Sequence, residues 1–299
     1  MYDLDAELKA NAADVERGLD RLLSAERLSG PGTAPERLVA AMRHGSLDGG
    51  KRLRPLLVRQ AAAVFGVPPE AALTAGLAVE MVHCYSLIHD DLPAMDDDDL
   101  RRGRPTVHRA FDEATAILSG DALLTQALGL LATQGHEDPA VRAQLVAALA
   151  MGAGPGGMVG GQMRDIEGET SHLSDTAIAD MQAMKTGALI RAAVHMGAIL
   201  GNASPEQTAT LLNYGEKSGA AFQLADDILD VTASPETMGK ATGKDAGAGK
   251  QTLVARIGLE AAQRRLADLI HDALTALVAF GPEADGLRAT ARYFATRES

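Results

Sequence analysis

Apolar residues recur every three or four positions through most of this 299-residue chain, and this spacing limits the fold more than any other feature of the sequence. It is the spacing of one face of an α-helix, and little of the β-branched alternation that is typical of strands accompanies it. The pattern covers seven stretches: 56–65, 71–89, 110–133, 139–151, 174–200, 205–231 and 257–280. We therefore predict an all-α protein.

No feature of the sequence divides the chain into separate domains. Prolines at 68, 69, 155 and 235 interrupt the helical pattern, but no fixed-period repeat, Ser-rich linker or low-complexity block occurs. A chain of this length can bury one large core. We predict a single domain over residues 1–299.

The balance of charge bears on partners and location. Lys and Arg total 28 against 40 Asp and Glu, a net charge of −12, whereas nucleic acids and anionic membranes favour basic surfaces.

The single cysteine, Cys84, excludes an intrachain disulfide, and the acidic start lacks the apolar run of a signal peptide. Charges also interrupt the apolar stretches before the ~18 residues of a membrane span. We predict a cytoplasmic protein with no nucleic acid partner and no membrane span.

The densest run of charge follows an apolar stretch, MVHCYSLIH at 81–89. It consists of aspartates and then arginines: Asp90, Asp91, Asp96, Asp97, Asp98, Asp99, Arg101, Arg102 and Arg104. A solvated surface run is the usual explanation for such a cluster, but carboxylates that end an apolar helix lie at the rim of a core. Hard oxygen ligands there suit Mg²⁺, which completes its shell with water and substrate phosphates. The arginines would bind the same phosphates.

A second acidic cluster lies in FQLADDILD at 222–230. On a helix Asp226, Asp227 and Asp230 share one side, where they would repel one another unless cations lay between them. The apolar residues around them indicate a largely buried helix. We expect the two clusters to form opposite walls of one cavity.

Two glycine-rich segments resemble phosphate-binding loops only superficially. GAGPGGMVGG at 152–161 lacks the Lys-Ser/Thr that such a loop needs, so we interpret it as a break before a tightly packed helix. The segment at 239–252 lacks the required spacing, and we interpret it as a lysine-bearing loop.

Taken together, the motifs resemble those of the trans-polyprenyl diphosphate synthases, most closely the bacterial farnesyl diphosphate synthases. DDLPAMD at 90–96, followed by Arg101 and Arg102, is similar to the first aspartate-rich motif of that family in its form with a four-residue spacer, and DDILD at 226–230 to the second. The other signatures occur in the expected order: GGKRLRP at 49–55, His83, KTG at 185–187 and FQ at 222–223. The resemblance runs from about residue 35 to 255.

The resemblance implies a fold and a reaction. The fold would be the isoprenoid synthase bundle, ten or more helices around a central cavity, in a chain that is usually homodimeric. An allylic diphosphate, dimethylallyl or geranyl, would be held through three Mg²⁺ ions and would lose diphosphate. The double bond of isopentenyl diphosphate would attack the resulting cation, and a proton would be lost. Metal would offset the charge of the leaving group.

The resemblance also implies roles for single residues. Isopentenyl diphosphate, which binds without metal, would be held by Lys51, Arg54, His83 and Arg102. The allylic diphosphate would be held by Arg101, Lys185 and Lys240, with Lys250 closing over it from a loop. The neutral groups beside the allylic carbon would be Thr186 and Gln223. The Mg²⁺ ligands would be the aspartates of the two motifs: Asp90, Asp91, Asp96, Asp226, Asp227 and Asp230.

Four of the residues have alternative interpretations. His83 could be a hydrogen-bonded histidine within its helix. Gln162 and Asp165, three positions apart, could line the allylic side or form a helix-packing pair. Tyr85 lies five positions before the first aspartate, where the family has an aromatic floor that stops the product at fifteen carbons. It lies about 140° round the helix from Asp90, so packing against another helix is also open.

Several other functions compete with the synthesis of farnesyl diphosphate. A geranylgeranyl diphosphate synthase of the same family differs only in product length. A terpene cyclase also ionises allylic diphosphates but would not need Lys51 and Arg54. His89-Asp90 resembles the start of a metal-dependent phosphohydrolase site, but the further histidine ligands of such a site are missing. A non-catalytic synthase subunit would tend to lose one aspartate motif, and both are present.

Overall fold

The computed structural model describes residues 2–169, 171, 173–232 and 253–296. Nearly every described segment is helical, which confirms the all-α prediction. The described residues form two compact units. One comprises Asp5–Leu56 and Leu73–Val146, and the other comprises residues 2–4, Leu57–Ala72 and the described residues from Ala147 onward. We call them the first-motif unit and the second-motif unit, after the aspartate motif that each carries. A single domain over 1–299 stays a prediction.

The described α-helices exceed the ten that were predicted. They are α1 (Leu4–Leu22), α2 (Ala25–Leu28), α3 (Glu36–Ser46), α4 (Leu53–Ala63), α5 (Leu73–Asp90), α6 (Val107–Ala110), α7 (Glu113–Gln134), α8 (Pro139–Ala153), α9 (Met158–Glu169), α10 (Asp175–Gln182), α11 (Ala188–Leu200), α12 (Pro205–Thr232), α13 (Leu253–Ile257), α14 (Leu259–Ala276) and α15 (Asp285–Thr296). A π-helix, Ala183–Gly187, joins α10 to α11, and two 3₁₀ turns, Leu277–Ala279 and Pro282–Ala284, follow α14. Two short strands, β1 (Leu100–Arg101) and β2 (Arg104–Pro105), pair antiparallel.

Helix α5 forms the core of the first-motif unit, where it packs against α3 and α7. Its apolar side chains surround it on all sides rather than along one stripe, which is the pattern of a buried helix. Gly120 lets α7 approach the C-terminal end of α5, because a Cβ at position 120 would lie 2.1 Å from Nε2 of His89. The same Nε2 lies 3.0 Å from the carbonyl oxygen of Ile117. The end of α5, from which the first motif starts, is therefore fixed against α7.

Helix α12 forms the core of the second-motif unit and packs against α11, α14 and α15. Glycine also lets α12 approach the π-helix that precedes α11, since a Cβ on Gly219 would lie 2.9 Å from Cα of Gly187. The buried Tyr214 donates a hydrogen bond of 2.8 Å from its hydroxyl to the carbonyl of Leu287 in α15. These contacts fix the helix that carries Asp226, Asp227 and Asp230.

The glycine-rich segment at 152–161 is a helix break, as predicted. Helix α8 ends at Ala153 and α9 begins at Met158. Tight packing follows, because a Cβ on Gly161 would lie 2.1 Å from the backbone nitrogen of Lys185. The segment at 239–252 lies outside the described residues.

Two segments meet the length and composition of a membrane span, so charges do not interrupt every apolar stretch as predicted. One is α7, Glu113–Gln134, and the other is Pro139–Gly168, which includes α8, the break after it and most of α9; 39% of the most apolar window of each is buried inside the structure. Such helices are weak evidence by themselves, since core helices of soluble proteins meet the same criteria. The absence of a membrane span stays a prediction.

Candidate active site

The first aspartate motif is a compact turn at the end of α5. The backbone N–H of Asp96 donates to the carbonyl of Asp90 at 2.8 Å, and that of Asp98 donates to the carbonyl of Asp91 at 3.2 Å. Asp97 takes a left-handed conformation, with φ of 48°, to close the turn. The four-residue spacer therefore folds Asp96 back beside Asp90 instead of extending the helix.

Asp91 and Arg101 form a buried ion pair within this turn. The Arg101 guanidinium lies 2.8 and 2.9 Å from the two Asp91 oxygens through Nε, and 2.5 Å from Oδ1 through Nη2. The side chain of Asp91 is 4% exposed and that of Arg101 24%. A guanidinium held along its Nε/Nη2 edge can still offer Nη1 to a phosphate. The roles predicted for the two residues, metal ligand and phosphate ligand, stay predictions, but here each binds the other.

A group of arginines surrounds His83 in the first-motif unit. Burial lowers the pKa of His83 well below its usual value, and the charges of Arg54, Arg102, Arg101 and Arg52 lower it further. The imidazole is therefore neutral at pH 7 and offers one N–H donor and one acceptor. The predicted isopentenyl diphosphate ligands Arg54, His83 and Arg102 thus lie near one another. Lys51, the fourth predicted ligand, is exposed.

The two glycines of GGKRLRP make room for Arg102. A Cβ on Gly49 would lie 3.1 Å from Cδ of Arg102, and one on Gly50 would lie 2.8 Å from Nη1. Gly50 also has a φ of +88°, a backbone conformation that residues other than glycine rarely adopt. Glycine at these positions therefore lets the Arg102 guanidinium lie flat against the backbone just before Lys51.

Sequence reasoning assigned no role to Arg52, which the structure places at the base of this cationic group. Its side chain is 2% exposed and binds Glu80 through Nη1, and Glu16 and the carbonyl of Ser46 through Nη2, at 2.7 to 2.8 Å. Burial opposes its charge, but the Glu80 carboxylate outweighs this and raises the pKa of Arg52. A small cavity of about 50 Å³ adjoins Arg52, Glu80, His83 and Arg102. Arg52 anchors the segment that presents Lys51 and Arg54.

The second aspartate motif lies on α12, as predicted. Asp227 is 4% exposed, whereas Asp226 and Asp230 are half-buried. Asp227 accepts hydrogen bonds from the side-chain amides of Gln182 at 2.7 Å and Gln223 at 2.9 Å. Gln182 was not singled out from the sequence. Its position three residues before Lys185 was the only signal available.

The π-helix presents Lys185 and Thr186, and such a local widening of a helix is frequent at functional sites. Thr186 Oγ1 donates to Oε1 of Gln223 at 2.6 Å, so the two neutral groups predicted beside the allylic carbon are in contact. Lys185 Nζ lies 2.6 Å from Oδ2 of Asp165. Asp165 therefore pairs with a predicted substrate ligand, and its partner is not Gln162.

Tyr85 is 5% exposed, and its ring contacts the ring of His89 edge to face, with centroids 5.7 Å apart. Burial, together with the charge of Asp90, raises the pKa of Tyr85 to about 12, so the phenol stays neutral. A neutral, bulky ring in the core of α5 is compatible with both interpretations of this residue. Its role as the floor of a product cavity stays a prediction.

The predicted Mg²⁺ ligands have suitable chemistry but are not gathered into a finished site. Four half-buried aspartates supply the hard oxygens that Mg²⁺ prefers: Asp90, Asp96, Asp226 and Asp230. Among the described residues no group of three or more His, Cys, Asp or Glu side chains converges closely enough to hold a metal. Mg²⁺ commonly takes one or two carboxylates and completes its shell with water and phosphate, so the donor set fits. Lys240 and Lys250 lie outside the described residues.

Comparison with known proteins gives a consistent result. A family model described as polyprenyl synthetase matches residues 35–277. The chain is 47% identical over 243 residues to the farnesyl diphosphate synthase of Escherichia coli (strain K12). The aligned region covers 80% of this chain and 81% of that protein. It is 44% identical over 255 residues to the farnesyl diphosphate synthase of Geobacillus stearothermophilus, covering 85% and 84% of the two chains.

A solved structure extends the similarity over almost the whole chain. The apo structure of an FPP/GFPP synthase from Zymomonas mobilis superposes with a TM-score of 0.85 at 45% identity, covering 97% of this chain and 99% of that one. The family model, the relatives and the solved structure all agree with the motifs described above. The chain belongs to the polyprenyl synthetase family.

Proposed function

We propose that this enzyme is a farnesyl diphosphate synthase. It joins isopentenyl diphosphate to dimethylallyl or geranyl diphosphate and releases (2E,6E)-farnesyl diphosphate and diphosphate. The observation that carries this proposal is the cationic group around the neutral His83, with Arg54 and Arg102, in the first-motif unit. Such a group suits a diphosphate that binds without metal. An enzyme that only ionised or hydrolysed an allylic diphosphate would have no need of it.

The acidic residues divide into two sets by burial, since Asp91 and Asp227 are buried and the other four are half-buried. Asp91 and Asp227 are held by donors of the chain itself and orient their neighbours. Asp90, Asp96, Asp226 and Asp230 are the residues that would hold Mg²⁺, with three ions expected from the family. Bound Mg²⁺ would neutralise the charge that develops on the departing diphosphate.

The remaining residues bind and orient the substrates. Arg54, His83 and Arg102 hold isopentenyl diphosphate, and Lys185, fixed by Asp165, holds the allylic diphosphate. When the bond between the allylic carbon and its diphosphate oxygen breaks, Thr186 and Gln223 present oxygen dipoles to the cation, which they stabilise without capturing it. The double bond of isopentenyl diphosphate then forms the new carbon–carbon bond, and loss of a proton restores a double bond. Fixing both substrates supplies much of the rate.

We also propose a homodimer in the cytoplasm. Exposed apolar side chains support it, since Val159, Met163 and Ile166 lie at one face of α9 and are 49%, 54% and 36% exposed. A second copy of the chain that covered this face would bury them. Light scattering of the purified protein, compared with a Met163→Glu variant, tests this: the wild type should have twice the mass of one chain, and the variant should be weakened in association.

The decisive experiment is product analysis by mass spectrometry with Mg²⁺ and geranyl diphosphate, with and without isopentenyl diphosphate. We expect the fifteen-carbon diphosphate only when both substrates are present. Release of phosphate without isopentenyl diphosphate would indicate a phosphohydrolase, a cyclic hydrocarbon would indicate a cyclase, and no turnover would indicate a non-catalytic subunit.

Product length needs its own variant, because the Zymomonas mobilis protein is described with both FPP and GFPP as products. If Tyr85 is the floor of the product cavity, Tyr85→Ala should shift the main product to twenty carbons or more with activity retained. A variant that still releases only the fifteen-carbon product would exclude Tyr85, and Ser86 and Met81 would be tested next. A twenty-carbon product from the wild type would instead indicate a geranylgeranyl diphosphate synthase.

A further inference from the structure

Four side chains of the second-motif unit form one continuous hydrogen-bonded chain. Gln182 Nε2 lies 2.7 Å from Oδ2 of Asp227, and Gln223 Nε2 lies 2.9 Å from Oδ1 of the same carboxylate. Oε1 of Gln223 lies 2.6 Å from Oγ1 of Thr186. The chain therefore starts at Gln182, at the end of α10, and finishes at Thr186 on the π-helix.

The donors and acceptors of this chain have only one consistent order. An ionised carboxylate only accepts hydrogen bonds, so Gln223 must turn its amide nitrogen toward Asp227. Its carbonyl oxygen then faces Thr186, and the Thr186 hydroxyl must be the donor of that bond. The hydroxyl proton is therefore directed at Gln223, and the oxygen lone pairs of Thr186 point in the remaining directions.

This order matters for a reaction that passes through a cation. A hydroxyl whose proton is fixed elsewhere presents the negative end of its dipole, whereas a freely rotating hydroxyl, or one that accepts from a flipped Gln223, does so only part of the time. A preorganised dipole stabilises developing charge without reorganising during the reaction. The Asp227 carboxylate sets this order, and Gln182, at the start of the chain, holds that carboxylate in place.

We propose that Gln182 is a positioning residue that acts through Asp227 and Gln223 to hold the Thr186 oxygen toward the allylic cation. This inference rests on the proposed function. Gln182 supplies a second amide to the buried Asp227, which fixes the orientation of that carboxylate. No contact of Gln182 with substrate is required.

The test uses four variants of the full-length enzyme: Gln182→Leu, Gln182→His, Thr186→Val and the double variant Gln182→Leu/Thr186→Val. Leucine removes the donor and histidine keeps one. Gln182→Leu should lower kcat about tenfold or more and leave KM for both substrates within about threefold, and Gln182→His should restore most of the loss. Because Gln182 acts through Thr186, the double variant should be no slower than Thr186→Val alone. The matched control is Gln263→Leu, an exposed glutamine on α14 of the same unit.

Mn²⁺ binding in the presence of inorganic diphosphate provides a readout separate from activity. A positioning role predicts the same Mn²⁺ affinity in Gln182→Leu as in the wild type, measured at a temperature at which circular dichroism shows both proteins folded. A parallel loss of Mn²⁺ affinity would show that Gln182 acts on the metal ligands and would overturn the proposal, as would additive losses in the double variant. If the wild type condenses the two substrates and Gln182→Leu has the same kcat as the wild type, this inference is wrong and the proposed function stands. If the wild type does not condense the substrates, the proposed function itself is wrong.

Discussion

The second aspartate of each motif is buried, but the two are stabilised by different chemistry. Asp91 is 3% exposed and binds the Arg101 guanidinium along both of its oxygens. Asp227 is 4% exposed and binds two neutral amides, of Gln182 and Gln223. A guanidinium offsets the carboxylate charge, whereas an amide only solvates it. Similar sequence motifs therefore produce different electrostatic environments.

The two environments suit two different tasks. The first-motif unit gathers Arg52, Arg54, Arg101 and Arg102 near His83, which favours direct binding of an anion. Beside the second motif, Thr186 and Gln223 supply neutral oxygens, which favour a cation that must not be trapped by a nucleophile. Under the proposed function, this difference would let one chain bind a diphosphate and stabilise the cation that forms when another diphosphate leaves.

The largest effect should come from the first aspartate of either motif. Asp90→Ala and Asp226→Ala should each lower kcat by about 10³-fold or more, since metal stabilisation of the leaving group contributes several kcal/mol. Circular dichroism should show an unchanged helical fold. The matched control on α12 is Glu216→Ala, an exposed residue of the same helix. Near-normal turnover in either aspartate variant would contradict the metal role of that motif.

A smaller effect should separate the binding of the two substrates. Arg54→Ala should weaken isopentenyl diphosphate by about 2–5 kcal/mol, which is the usual loss when one partner of a charged contact is removed. The affinity for geranyl diphosphate should change little. Calorimetric titration with each substrate measures both, and Arg17→Ala, in an exposed ion pair with Asp14, is the control. Equal weakening of both substrates would show that the cationic group does not distinguish them.

The comparison of Asp91 with Asp227 can be measured directly as stability. Asp91→Asn should lower the free energy of unfolding by about 3 kcal/mol, because it leaves a largely buried guanidinium without its counterion. Asp227→Asn should cost about 1 kcal/mol, since neutral amides tolerate a neutral partner better. Urea denaturation gives both values, with Asp14→Asn, in a surface ion pair with Arg17, as the control. A larger loss at Asp227 than at Asp91 would reverse the comparison.

The sequence was sufficient to predict the helices and the motifs, because both depend on local patterns. The period of apolar residues located α5, α7 and α12, and the spacing of Asp226, Asp227 and Asp230 placed them on one side of a helix. The family resemblance named Thr186 and Gln223 as neutral groups of one site, and the structure adds that they are in contact. None of these predictions required knowledge of a partner distant in the sequence.

The residues that were missed depend on distant partners. From the sequence, Arg52 cannot be distinguished from its basic neighbours Lys51 and Arg54. Only its ion pair with Glu80 shows that it is buried. Gln182 meets Asp227 across 45 positions of sequence. The π-helix leaves no pattern of its own, and its packing against Gly161 appears only in three dimensions. The pairing of Asp91 with Arg101 could not be distinguished from metal binding, because a carboxylate beside an arginine suits either.

The smallest expected effect concerns histidines, one in each unit. Burial and the nearby arginines hold the pKa of His83 well below its usual value, while burial and Arg191 lower the pKa of His195 by less. In both cases the folded protein binds fewer protons than the unfolded chain at a pH below the ordinary histidine pKa of about 6.5. The contribution to stability is therefore constant above that pH and is lost as the pH falls from there toward the folded pKa.

The free energy of unfolding between pH 7.5 and 5 should thus decline less steeply in His83→Asn than in the wild type. His195→Asn should remove a smaller part of the slope, because its pKa is lowered less and only Arg191 adds to the effect of burial. Urea denaturation at several pH values measures all three slopes. If His83→Asn left the slope unchanged, the imidazole would not be held neutral by the arginines, and the contrast between the cationic group around His83 and the neutral groups beside the second motif would fail.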